Sequence, residues 1–312
     1  MVAMRPRNRL LLRFPHLLPC LVLAAACRAP EIPSTSWEAP VAGPGGVLHS
    51  QPLPESGRLA VLRRHFDRYV EVFGVLVVAT PSVEERKLQH AATVLAEWID
   101  SDEDGTPDDA RALQVLVEEV AVLVMTDTRR ELDQLIGRLD AEVLDPAGSM
   151  IWQNLYGEET RPDGPPHSGE PGRFDATLEE VLHLVSHGWS GAHPADFGYQ
   201  PGSRLTDAMD AARGGRFLEM PRTYPEEAWY HYGDWTCDYR CMAVEYLYWA
   251  ITSHLGGQDY PGRAEEIAIE WECPTPELLA ARDPAVLDLL TDPGLSLPRT
   301  LPDGVYGRSP RR

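Results

Sequence analysis

The chain is short of positive charge and has no long apolar run. It carries 28 Lys and Arg against 48 Asp and Glu, a formal net charge of −20. Phosphate backbones are bound by clustered basic side chains, so a nucleic-acid partner is not expected. No segment after the amino terminus approaches about 20 uninterrupted apolar residues, and no transmembrane helix is expected. The G-x-S-x-G elbow, the P-loop and a G-x-G-x-x-G following a strand are all missing; this excludes the common serine-hydrolase, nucleotide and dinucleotide readings. Glu180 and His183 form an ExxH step, but the second copy that a di-iron bundle needs is absent. There is no internal repeat, and cysteine is sparse, with five in the chain.

What is present begins with an export signal. Arg5, Arg7, Arg9 and Arg13 precede an apolar stretch from Leu17 to Ala26, a basic-then-apolar layout too short to span a bilayer comfortably. It ends in LVLAAAC, which resembles a bacterial lipoprotein signal with Cys27 as the lipidated residue, although Ala24 stands where leucine is usual. Cleavage after Ala26 is the alternative. Either reading exports the chain, to the cell envelope on its periplasmic side or surface by a lipid anchor, or as a secreted protein. Residues 1–26 are read as signal peptide and 27–57, rich in Pro, Gly and Ser, as a tether.

The remainder predicts an α+β fold: a small mixed sheet with backing helices over 58–160, then a mainly helical part over 161–312. YVEVFGVLVVAT reads as one buried strand, with further strands in VAVLVMT and SMIWQNLY. Helices are expected at Glu84 to Ile99, Ala110 to Glu118 and Thr128 to Leu139. The second part predicts helices at Ser203 to Ala212, Thr236 to Leu255, Arg263 to Trp271, Thr275 to Ala281 and Pro284 to Leu290. Between the first two helices lies DSDEDGTPDD. Asp100, Asp102, Asp104, Gly105 and Asp108 match positions 1, 3, 5, 6 and 9 of a calcium loop, in which alternate carboxylates converge on a hard cation and glycine makes the turn. Arg111 replaces the twelfth-position glutamate, so the segment resembles the short loops of extracellular calcium modules; a solvated acidic turn is the alternative.

TLEEVLHLVSHGW carries the main functional signal. At about 100° per residue, Leu178, Val181, Leu182, Val185 and Trp189 share one helix face, and Glu179, Glu180, His183 and His187 the other. Two imidazoles one turn apart can reach one cation, the spacing of helical zinc sites. The plain alternative is a surface helix with Thr177 and Glu180 as a capping box. Farther on, Glu245 is the only charged residue from Cys241 to Ser253, in a helix apolar on every side. A carboxylate there must be paired, hydrogen-bonded, protonated or metal-bound. Its expected partner is a cation held by His183 and His187, or Arg213.

HLVSH together with Glu245 resembles the zincin metallopeptidases of the glutamate-third-ligand type, over roughly residues 60 to 256. The resemblance implies a small sheet behind a helix with two histidines, a following helix that supplies the glutamate, and a peptide or small-molecule substrate. It also implies zinc, held by His183, His187 and Glu245. The motif departs at Leu184, where zincins carry the water-activating glutamate; Glu180 or Glu179, one turn earlier, is the expected substitute as general base. His193, ten residues after His183, is an alternative ligand, as in the other large zincin branch. Two functions follow: an exported metal-dependent hydrolase, or a noncatalytic, calcium-stabilised surface or binding domain on a degenerate zincin-like scaffold.

Removal of the signal, with Cys27 lipidated, leaves Cys237, Cys241 and Cys273 as thiols. Cys273 is expected to bridge one of the other two, because i, i+4 Cβ atoms on a helix lie about 6 Å apart and a disulfide prefers ~3.8 Å. The aromatic cluster around His231 and Tyr232 reads as a core edge, or as a pocket rim that touches substrate.

Overall fold

In a computed structural model describing residues 48–56, 58–136, 151–168 and 171–307, a five-stranded mixed sheet organises the first half of the chain. The signal, Cys27 and most of the tether lie outside the described residues. The strands are β1 (Gln51–Pro52), β2 (Arg68–Val72), β3 (Val75–Ala79), β4 (Val122–Thr126) and β5 (Trp152–Tyr156), lying side by side in that order. The first three pair antiparallel, whereas β3, β4 and β5 are parallel. The fold class is α+β.

YVEVFGVLVVAT, expected as one strand, is a hairpin. Val72 pairs with Val75, and Phe73 and Gly74 between them take φ of 49° and 85°, the doubly positive turn that suits the twist of paired strands. Phenylalanine rarely adopts that conformation, so the turn has no sequence signal. Alternation along β3 and β4 then divides the apolar side chains between two faces. Val75, Val77, Ala79, Leu123 and Met125 enter the main core. Leu76, Val78, Val122 and Val124 enter a smaller one with Leu62, Phe66, Leu132 and Leu135.

The helices are α1 (Glu85–Ile99), α2 (Ala110–Glu118), α3 (Arg129–Ile136), α4 (Thr177–Ala192), α5 (Pro194–Phe197), α6 (Arg204–Ala212), α7 (Tyr239–His254), α8 (Arg263–Ile267), α9 (Pro276–Arg282) and α10 (Pro284–Leu290). α4 is central, packing on α1, α2, β5 and α7. Gly188 permits the α2 crossing, since a Cβ there would lie 2.6 Å from Ala112 O. α4 is therefore no surface helix: its polar residues Glu179, Glu180 and His183 are buried with its apolar ones. The expected capping box is also absent. Ala176 is the N-cap, and Thr177 Oγ1 donates instead to Asp175 Oδ1 at 2.8 Å.

The main core runs from Val70 to Leu297, so the parts expected at 58–160 and 161–312 share it. The Pro/Gly-rich C-terminal segment is tied down rather than loosely applied. Asp303 N and Gly304 N donate to the two oxygens of buried Glu97 on α1, at 2.9 and 2.8 Å, and Thr300 Oγ1 donates to Ser101 O at 2.8 Å. The cysteine pairing corrects the sequence expectation: Cys237 and Cys241 form the disulfide, with Cα atoms 5.3 Å apart. Because α7 starts at Tyr239, Cys237 precedes the helix and the helical i, i+4 spacing does not apply. Cys273 is free and buried, and burial pushes its thiol up to about 12.

Candidate metal centre

The candidate centre forms where α4 and α7 meet. α7 has its N-cap at Asp238, whose side chain accepts from Cys241 N at 2.9 Å. Its apolar residues surround the helix, so it inserts into the core and carries Glu245 with it. There Glu245 meets α4. Glu179, His183 and Glu245 each offer one donor atom, all within 4.8 Å of one another. His183 Nε2 and Glu245 Oε2 are 3.5 Å apart. Two donors each about 2.1 Å from a tetrahedral ion are ~3.4 Å apart, so the pair stands at ligand spacing.

The other side of the imidazole is also furnished. Glu180 Oε2 lies 3.7 Å from His183 Nδ1 and accepts from Gln153 Nε2 of β5. A carboxylate behind the non-ligating nitrogen is the arrangement that orients metal-binding histidines. The ring of Tyr248 meets His183 edge-on, with centroids 6.0 Å apart. Glu179, Glu180, His183 and Glu245 are 6%, 7%, 7% and 4% exposed. Carboxylates gathered in so little solvent bear like charge, and a cation among them relieves that repulsion.

His187, expected as the second imidazole ligand, turns elsewhere. Its Nε2 is 3.1 Å from Glu119 Oε2, and its Nδ1 accepts from Arg240 Nη2 at 3.1 Å. Burial and the adjacent Arg240 charge hold this imidazole below its usual pKa, against the opposing pull of Glu119. The i, i+4 spacing is present, but only the first histidine faces Glu245. The turn before His183 supplies the third donor in place of the turn after it, and Glu179, expected as a base, joins the ligand group. His193 caps the end of α4 and places Nε2 2.6 Å from Oδ2 of Asp109, the N-cap of α2. Arg213 donates to Phe217 O at 2.8 Å and lies over the rings of Phe217 and Tyr239. Leu184, at the position of the zincin glutamate, is buried in the main core. A cleft of about 490 Å³ beside the end of α4 is lined by His187, Tyr199, Ser203 and Arg240 rather than by the Glu179 group.

In the acidic loop, Asp100, Asp102 and Asp108 bring oxygens within 4.8 Å of one another, and Gly105 makes the turn at φ 88°. Asp104, expected as a fourth ligand, accepts from Thr106 N at 2.7 Å. Burial lifts the Asp100 carboxyl to about 6, with the neighbouring Asp102 and Asp108 adding to it against hydrogen bonds from Tyr306 and Gly105 N. Burial also raises Asp108, helped by the charges of Asp102 and Asp104.

Sequence reasoning missed a third group: His90, His167 and Asp175 also bring donor atoms within 4.8 Å. They come from three separate segments with no local spacing to mark them. No family model matches the chain, and no curated protein or solved structure matches it.

Proposed function

We propose that the protein is an exported metal-dependent hydrolase of zincin-like type, acting on a peptide or small-molecule substrate, with Glu179, His183 and Glu245 as ligands of one zinc ion. One observation carries this reading: a buried imidazole and two carboxylates from crossing helices within ligand spacing. One nitrogen and two oxygens form a donor set that zinc accepts, with a fourth position for water. A zinc ion held there supplies a Lewis acid for a carbonyl oxygen and makes water more acidic. Glu180 positions His183 by facing Nδ1, which leaves Nε2 toward Glu245. With Glu179 among the ligands and Leu184 in the core, Glu180 is the carboxylate of that turn outside the ligand group. Export, with lipid attachment at Cys27, belongs to the same proposal; no helix among the described residues is long and apolar enough to cross a membrane.

The second reading is the noncatalytic, calcium-stabilised surface or binding domain. It is favoured by the acidic loop and by the hydrocarbon side chain of Leu184. Protein purified without chelator decides between them. The hydrolase reading expects one equivalent of zinc to be lost in His183→Ala and in Glu245→Gln, and chelator-sensitive cleavage of a mixed peptide and ester library. It also expects turnover ~10–100-fold lower in Glu180→Gln. Zinc without cleavage leaves the second reading; no zinc at this centre sinks the first.

A further inference from the structure

The geometry points to a second metal site, formed by His90, His167 and Asp175, for a divalent cation of the zinc type. His90 lies on α1, His167 between β5 and α4, and Asp175 just before α4. Both imidazoles present Nε2 to the same oxygen, Asp175 Oδ2, at 2.7 and 3.0 Å. The other carboxylate oxygen is committed: Oδ1 accepts from Arg161 N at 2.8 Å, Thr177 N at 3.3 Å and Thr177 Oγ1 at 2.8 Å. Such outer hydrogen bonds hold a carboxylate in the one-oxygen posture of a metal ligand.

The site is also closed. The side chain of Asp175 is 0% exposed, and those of His90 and His167 are 4% and 7% exposed. Two imidazole nitrogens and one oxygen suit zinc and its first-row neighbours rather than calcium or magnesium, which take oxygen shells. Gly304, at φ +77°, lets the C-terminal segment pack on the ring; a Cβ there would come 2.7 Å from His90 Nδ1 and Cε1. The ion would thus tie together α1, the approach to α4 and the C-terminal segment. This site shares no ligand with the Glu179 centre and does not rest on the hydrolase reading.

The test is metal content of the full exported chain, stripped with chelator, reloaded with excess zinc, dialysed and read by elemental analysis. The parent is expected to keep two equivalents, His90→Gln and His167→Gln one each, Glu245→Gln one, and the His167→Gln/Glu245→Gln pair none. Zinc that survives both histidine changes and vanishes with Glu245→Gln overturns the second site and leaves the Glu179 centre standing. The opposite pattern supports the second site while removing the first. A measurement that leaves the site unmodified guards against misfolded variants: zinc should raise the Tm of Glu245→Gln, and no rise overturns the proposal.

Discussion

Glu245 shows how the role of one buried charge depends on what accompanies it. Beside Glu179 and His183 it lies in a space closed to water; next to zinc it becomes a ligand. Glu245→Gln should therefore lower the Tm of zinc-loaded protein and change that of chelated protein less. Calorimetry in both states checks this, and an equal change in both would remove the ion from the account. Asp109 makes a contrasting case whose value needs no metal. Its Oδ1 accepts from Arg111 N and Ala112 N at 3.0 Å each, and its Oδ2 faces His193 at 2.6 Å. Asp109→Ala is expected to cost about 1–2 kcal/mol in urea unfolding. A loss under half of that would show that His193 and the cap contribute little.

Among the elements, α4 depends on how closely α2 can approach. The 2.6 Å that separates a Cβ at position 188 from Ala112 O leaves no space for a methyl group. Gly188→Ala should cost ~1–3 kcal/mol through forced separation of the two helices, measured by chemical denaturation. At the start of α7, the Cys237–Cys241 disulfide closes a very short loop, and its loss should cost about 2 kcal/mol on the chain-entropy account. Alkylation of the denatured, unreduced chain checks the pairing: of Cys237, Cys241 and Cys273, only Cys273 should react. Labelling of Cys237 or Cys241 would contradict it.

On the scale of the whole molecule, one core joins the sheet and the later helices, and the C-terminal segment straps both α1 and the acidic loop. Gly307 N donates to Glu103 Oε2 at 2.9 Å, and Tyr306 OH to Asp100. The loop gives the fold a pH dependence. Burial pushes the folded-state Asp100 carboxyl up to about 6, above the ordinary carboxylate range, so the folded state binds the proton more tightly. Its contribution to stability is present below the unfolded value and is lost as pH rises through about 6. We propose that calcium offsets the charge that appears there. The calcium-induced gain in Tm should grow from pH 4 to pH 7 and shrink in Asp102→Asn; a gain independent of pH would argue against binding at this loop.

Apolar runs and helical patterning determined the α+β class, the strands in VAVLVMT and SMIWQNLY, and helices α1, α2 and α10 almost to the residue, because these follow from which side chains must avoid water. The same rule marked Glu245 as a carboxylate needing company. Which company it keeps was decided by the tertiary structure. Helical spacing places Glu179, His183 and His187 equally well, and only the crossing of α7 over α4 selects the first two, while α2 and Arg240 take the third. His90, His167 and Asp175 have no shared period in the chain, so their meeting exists only once α1 and the approach to α4 have packed. Local geometry is written in neighbouring residues; a site assembled from distant segments is set by packing, which no single segment encodes.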